Sequence, residues 1–415
     1  MMGSYLNTAI GFIFWVMVAK YYTTHDVGLS TVIISTTNLI IAFSGIGLTF
    51  GLTKYLPGEN DKEGMINTCI TLVSSVSVII SIIFILFTSV ICPSLNFIHE
   101  NIGLLITFIF LTFILGTFTL QNYIFIALRS AKFSVMQSML FNIIKVVFPI
   151  LLISLGIFGI VFSWFISSLV AVIVGIFFLR LLLKQSYNPL PNLKIKILWK
   201  IISFSFLNNI AGFLGSIPAL LMPLIVANML GVDNAAYFFI SYSISAMLLT
   251  IPSAINTSLF TEGSHDTNNF NLDVIKATKL SLLLLIPLIV FIFIFGSKLL
   301  LIFGREYSNN ATVLLYLFSI STIPNAIALI YMTIMRVKTD LRPLIYINLV
   351  MASLIVGISY LIIPKLGLIG VGIAWISGWG ITMLIVILLV MRKGWFSILF
   401  NKEILKDIVK INKRF

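Results

Sequence analysis

Lys145 is the residue that most needs explaining. It stands inside the apolar run 134–155, twelve residues after Phe133 and eleven before Gly156. Ser138, Asn142 and Lys145 follow one another at i, i+4 and i+7, so on a helix they share one face and the charge heads a polar stripe. An ammonium so placed can bind a phosphate as a point charge. The alternative is a neutral lysine bonded to backbone carbonyls in a helix interface.

Other chemistries find fewer residues to work with. All 13 Asp and Glu fall outside the apolar runs, in connecting segments or in the tail. Acid–base catalysis needs paired acids, or a base beside a substrate bay. Asp26, Glu100, Asp233 and Glu306 are the only acids on one side of the chain's layout, in connections of about ten residues or fewer. No enzyme and no catalytic residue is expected. His25, His99 and His265 lie in three different connections, and no metal-ligand spacing exists. Cys69 and Cys92 bracket one run, about 35 Å apart on an intact helix, too far for a disulfide. Neither a metal nor a cofactor is expected.

Four more polar stripes lie in apolar surroundings. They are Ser4, Asn7, Thr8 and Gly11; Asn38, Ala42, Gly45 and Thr49; Ser205, Asn208, Asn209, Gly212 and Ser216; and Ser253, Asn256 and Thr257. Polar groups are costly against lipid, so such stripes face protein or water. They can line a cavity or serve ordinary helix packing, where small and polar residues also gather. Asn208 and Asn209, adjacent in the clearest stripe, are read as cavity residues.

The elements that must hold these residues follow from composition. Hydrophobic residues make up 60% of the chain and charged residues 9%, against roughly 45–50% and about 25% in soluble domains. The bilayer is therefore the solvent. Twelve runs are long enough to span it: 4–22, 28–53, 66–91, 103–127, 134–155, 158–182, 201–227, 234–260, 277–302, 310–334, 343–363 and 368–391. The first has no basic start and no small-residue cleavage site, so it reads as a span and not as a cleaved signal. With the N-terminus inside, 21 of the 26 Lys and Arg fall on the inner side and four on the outer. Both termini are thus expected in the cytoplasm. The net charge of +13 follows from this topology and from attraction to anionic lipid. No basic soluble domain suggests nucleic acid.

The chain repeats itself. LGIFGIVFSW (155–164) returns as LGLIGVGIAW (366–375) at an offset of 211; LRSAKF (128–133) has a basic counterpart in MRVKTD (335–340); AKYYTTHDVG (19–28) parallels ANMLGVDNAA (227–236). Three echoes in order at nearly constant offset predict a duplicated unit of six helices. Because six is even, the halves are parallel repeats about an axis along the membrane normal. The expected fold class is all-α: a polytopic membrane protein of about 12 transmembrane helices. An N-terminal bundle (1–184) leads through a cytoplasmic linker (185–200) to a C-terminal bundle (201–391). The tail (392–415) is basic; Ile404, Leu405, Ile408 and Ile411 share one helical face, which fits an interfacial helix or a frayed end.

LIFGREYSNNATVLLYLFSISTIPNAI (301–327), with Gly304, Tyr307 and Pro324, resembles the tenth-helix region of polysaccharide and O-antigen flippases of the multidrug/oligosaccharidyl-lipid/polysaccharide exporter superfamily. MPLIVANMLGVDNAAYFFISYSI (222–244), with Gly231 and Tyr237, is similar to that family's seventh-to-eighth helix passage, and VAKYYTTHDVGLSTV (18–32) to its first turn. Asn310 stands where the family usually has a small residue.

The resemblance implies two six-helix bundles around a central cavity, rocking between inward-open and outward-open states. It implies passage of a lipid-linked oligosaccharide of polyprenyl diphosphate type to the outer leaflet of the cytoplasmic membrane, with glycan-assembly proteins as partners. On that reading Lys145 and Asn142 bind the diphosphate, Asn208 and Asn209 line the cavity, and Lys54 and Lys20 meet the substrate at the two mouths. Lys54 and Lys20 could equally be helix anchors. The second half has no counterpart of Lys145: offsets of 207–211 land on Ala352 through Val356. The rival within the superfamily is a multidrug or cation antiporter. Ion coupling usually needs a carboxylate at membrane depth, and the spans hold none.

Overall fold

A computed structural model describes residues 2–45, 48–183, 187–265 and 270–392. The expected tail helix lies outside them, as does the side chain of Asn208. Every regular element is a helix among the described residues: α1 (Met2–Tyr21), α2 (Thr24–Ser44), α3 (Leu48–Tyr55), α4 (Lys62–Leu86), α5 (Thr88–Ile91), α6 (Ile102–Ala127), α7 (Ala131–Leu151), α8 (Ile157–Leu182), α9 (Ile195–Leu230), α10 (Val232–Leu248), α11 (Thr250–His265), α12 (Phe270–Leu301), α13 (Arg305–Val337) and α14 (Arg342–Arg392). Among them nine are long and apolar enough to cross a membrane, or ten when the bent pair α10 and α11 counts as one span. The chain is a multi-pass membrane protein.

Four of the twelve expected runs are not separate straight helices. The second run breaks after Ser44, where Gly45 caps α2, and resumes as α3. The eighth bends by 41° at Leu249. The eleventh and twelfth are joined in the 51-residue α14, which would be about 76 Å long if straight, more than twice the hydrocarbon thickness. It is broken at Gly367, whose φ of 56° and ψ of −138° are not helical.

The echoes of the sequence are echoes of backbone. Gly156, between α7 and α8, has φ 53° and ψ −135°, nearly the values of Gly367. Arg129 and Thr339 both carry a positive φ, 55° and 56°. Around them the same three bonds recur: the amides of Leu128, Arg129 and Ser130 donate to Ile124, Ile126 and Phe125 oxygens, and those of Lys338, Thr339 and Asp340 donate to Ile334, Arg336 and Met335 oxygens. Each is a helix C-terminus closed by a left-handed residue. The offset is 210, not the 207 suggested by matching LRSAKF to MRVKTD. The turn geometry is what repeats, and the basic residues have drifted within it.

By its internal contacts the chain divides into two compact units, Met1–Ile240 with Leu299–Ala311 and Ser241–Lys298 with Thr312–Phe415. In the first, Leu48, Leu52, Met65, Ile66, Ile124, Phe125 and Leu179 form a buried cluster joining α3, α4, α6 and α8. The interhalf segment crosses this unit as a strap along α4. The amides of Asn188, Asn192 and Lys194 donate to Glu63 Oε1 (3.2 Å), Thr71 Oγ1 (3.1 Å) and Thr68 Oγ1 (3.2 Å). Asn67 Nδ2 donates to the Asn188 carbonyl at 2.7 Å. Glu63, Asn67 and Thr71 are spaced by four, so one face of α4 supplies the grip. Asp61, which caps α4, pairs with the Lys194 ammonium. The hydrogen bond from Lys194, aided by one from the Gly64 amide, holds the Asp61 carboxyl below the usual carboxylate range. Burial, with Glu63 adding to it and Arg180 opposing, pushes the Tyr187 hydroxyl up to about 12.

Candidate functional site

Lys145 is 5% exposed and is the only charged side chain among the buried ones described. Its ammonium lies over three rings, each from a different helix: Phe14 of α1 at 5.0 Å, Phe141 of α7 at 4.9 Å and Trp164 of α8 at 4.7 Å. Phe141 precedes Lys145 by one turn, so the helix itself brings that ring over the charge. Trp164 stands in the first repeated phrase, two turns into α8. Its indole N–H is buried with no acceptor among the described residues, which costs about 1–3 kcal/mol. The ring is therefore placed for its face. A desolvated cation over an aromatic face gains on the order of 1–2 kcal/mol. Three such faces offset an insertion cost of about 2.5–3.5 kcal/mol for a central lysine.

The polar stripe below the cage is fully engaged. Ser134 and Ser138 hydroxyls donate to Asn122 Oδ1 of α6 at 2.6 and 3.0 Å. Asn142 Nδ2 donates to Asn7 Oδ1 of α1 at 3.1 Å and to the Ser138 carbonyl at 2.9 Å. Two stripes read from the sequence thus meet at Asn7 and Asn142. Two others meet where Thr49 of α3 donates to Asn209 Oδ1 of α9 at 3.1 Å. In the second unit Asn256 accepts from Thr333 Oγ1 at 3.1 Å.

Lys54 and Lys20 close α3 and α1. Both are exposed at helix ends, with ammonium groups over the adjacent Tyr55 (5.4 Å) and Tyr21 (5.8 Å) rings.

Ring contacts hold α1 in place. Phe12 meets Phe303 at 5.3 Å, Phe14 meets Trp164 at 6.0 Å and Trp15 meets Phe239 at 4.6 Å. At the same end of the unit as the α1–α2 turn, a Cβ on Gly28 would come within 2.0 Å of the Val232 carbonyl oxygen, so α2 and α10 touch backbone to backbone. Thr24 Oγ1 donates to Glu306 Oε2 at 2.6 Å, and Asn228 Nδ2 donates to the Ile91 carbonyl at 2.9 Å. Sequence reasoning missed the cage rings, Asn122 and these contacts. Only Phe141, one turn from Lys145, carried a usable local signal.

Comparison with known proteins adds to this geometry. A family model described as polysaccharide biosynthesis protein matches residues 1–261. A putative O-antigen transporter of Shigella flexneri is 24% identical over 229 residues, 52% of this chain and 54% of the relative. The match thus spans about half the length of that curated relative. Among solved structures, the lipid II flippase MurJ in an inward closed conformation superposes with a TM-score of 0.76 at 15% identity, over 99% of this chain and 92% of that one. An inward-facing multidrug resistance MATE family transporter of the MOP superfamily gives 0.70 at 16%, over 95% and 96%. At such identities the likeness shows a shared fold.

Proposed function

The chain belongs to the polysaccharide biosynthesis protein family, matched over residues 1–261 of its 415, and on that premise we propose that it is a flippase. Its cargo is a lipid-linked oligosaccharide of polyprenyl diphosphate type, moved from the cytoplasmic to the outer leaflet of the cell membrane by alternating access. It acts as a transporter and not as an enzyme. Two six-helix bundles, 1–184 and 201–391, do the rocking, and both termini and the 185–200 linker face the cytoplasm.

One observation carries the reading: the only buried charge described is a cation on a polar stripe. A diphosphate is the chemistry a lysine at that depth serves as a point charge. In this conformation Lys145 is covered by its rings. Of the three rings Phe14 is the one that α1 carries, so displacement of α1 opens the cage and lets the ammonium trade ring faces for phosphate oxygens. Asn142, one turn away, adds a donor to the same ligand once its bond to Asn7 is broken. Asn209 lines the path, and Lys54 and Lys20 meet the diphosphate at its two mouths. Glycan-assembly proteins deliver and receive the cargo.

A multidrug antiporter is the second reading, supported by the fold shared with the MATE transporter. Deleting the gene separates the two. Flipping predicts loss of surface glycan with its lipid-linked precursor accumulating inside. Normal surface glycan with altered drug tolerance would overturn it in favour of the antiporter.

A further inference from the structure

The two arms of α14 lie side by side in the second unit. A Cβ on Gly370 would meet Ile362, and one on Gly378 would meet Ile355. Those pairs fix an antiparallel register, which sets Arg342, at the start of one arm, and Arg392, at the end of the other, at the same end of the hairpin. Just inside this basic end the wall is notched. A cavity of about 350 Å³ opens between α13 and the arms of α14, lined by Tyr331, Pro343, Tyr346, Val350, Ile385 and Leu389 among others. Its size suits a small ligand and its lining is apolar. Tyr346 is 67% exposed at its rim.

Arg342 adjoins the lining residue Pro343, and Arg392 follows Leu389 by one turn. Both are exposed, and neither has an ion-pair partner among the described residues. Arg336 and Lys338 add positive charge nearby and Asp340 removes one, leaving the rim basic. Basic pockets between transmembrane helices hold anionic lipid headgroups.

We propose that this notch is a binding site for a resident anionic phospholipid, with one acyl chain in the cavity and the headgroup phosphate on Arg342 and Arg392. A bulk phospholipid is the occupant because the rim holds the phosphate on fixed arginines, whereas a transported lipid must leave with its headgroup. The inference does not depend on what the protein carries.

The test uses the full chain, purified from nanodiscs of equal phosphatidylglycerol and phosphatidylcholine, with retained lipid counted by native mass spectrometry. The wild type is expected to keep one phosphatidylglycerol with a preference on the order of tenfold or more. The Arg342→Gln/Arg392→Gln pair should lose the preference, and Arg342→Lys/Arg392→Lys should keep most of it. Val350→Trp, which fills the notch from its lipid side, should lower retention of both lipids. Equal retention of the two lipids by the wild type, or an unchanged preference in the Gln pair, overturns the proposal. Displacement of phosphatidylglycerol by equimolar polyprenyl phosphate also overturns it, and would make the notch a cargo-tail site.

Discussion

Gly156 and Gly367 adopt the same backbone conformation, φ 53° and ψ −135° against φ 56° and ψ −138°, at positions 211 residues apart. Residues with a Cβ are essentially excluded from this region, at a cost of about 1–3 kcal/mol. Each glycine lets the chain reverse between two apolar helices with almost no loop. A duplicated unit explains why one rare solution occurs twice, at an offset within one residue of the 210 that separates Arg129 and Thr339.

Gly156→Ala and Gly367→Ala should therefore each destabilise the protein by about 1–3 kcal/mol. Gly357→Ala and Gly380→Ala, within α14 where an added Cβ meets nothing within 4 Å, should be neutral or slightly stabilising. Thermal unfolding in one detergent ranks the four. Equal effects at all four positions would contradict the backbone account.

The strap on α4 makes a second prediction. Amides of Asn188, Asn192 and Lys194 should exchange slowly although they lie at the surface. Thr71→Ala and Thr68→Ala each remove one acceptor, worth about 0.5–1.5 kcal/mol, and should speed exchange at Asn192 and Lys194 by about 2- to 10-fold. Hydrogen exchange read by mass spectrometry over 187–194 decides it; unchanged rates would mean that the strap is held by other means.

The same strap depends on pH through Asp61. Its folded-state pKa is lowered, first by the bond from Lys194, so its contribution is present above the ordinary carboxylate pKa of about 3.9. That contribution is lost as pH falls through the lower folded value. Exchange over 187–194, corrected for the intrinsic rate, should stay protected from pH 7 to about 4 and loosen only below it. In Asp61→Asn that acid step should vanish. A step of the same size in the variant would remove Asp61 as its cause.

Buried amides give a fourth. Gln137 Nε2 donates to the Ala171 carbonyl at 2.9 Å and to Gln121 Oε1, and a Cβ on Gly175 of α8 would fall 2.3 Å from that oxygen. Gly175→Ala should cost about 1–3 kcal/mol through overpacking, measured by unfolding. Gly175→Ala should cost less in a Gln121→Ala background than alone, since that change removes one of the two groups in the way, the other being Gln137 Nε2 at 2.4 Å. An equal cost in both backgrounds would place it elsewhere.

Much of this architecture was legible in sequence because lipid imposes a simple rule: apolar runs of spanning length become helices. The rule does not say where a run breaks. Gly45 interrupts a helix without a polar gap, so the second span was misjudged in detail, whereas the break at Gly367 was legible from its echo of Gly156. The site was half legible. Lys145 and Asn142 stand out on periodicity alone, and so did the stripe carrying Asn7. That Asn7 faces Asn142, or that Phe14 and Trp164 close over Lys145, depends on which helices adjoin, and local pattern carries no such information. Lys54 and Lys20 are read from their places at helix ends, and both lie exposed at helix ends.

Lys145 is where the account is most exposed. Wild type, Lys145→Ala, Lys145→Arg and Lys145→Glu, matched for folding and membrane insertion, can be reconstituted in vesicles with a fluorescent oligosaccharide on a polyprenyl diphosphate. The rate at which label crosses the bilayer is then read by a membrane-impermeant quencher. A flippase that grips its diphosphate through Lys145 predicts crossing by the wild type, loss with Ala and Glu, and partial crossing with Arg. Crossing by Lys145→Ala at the wild-type rate would remove Lys145 from the mechanism, and no crossing by a folded wild type would contradict the function itself.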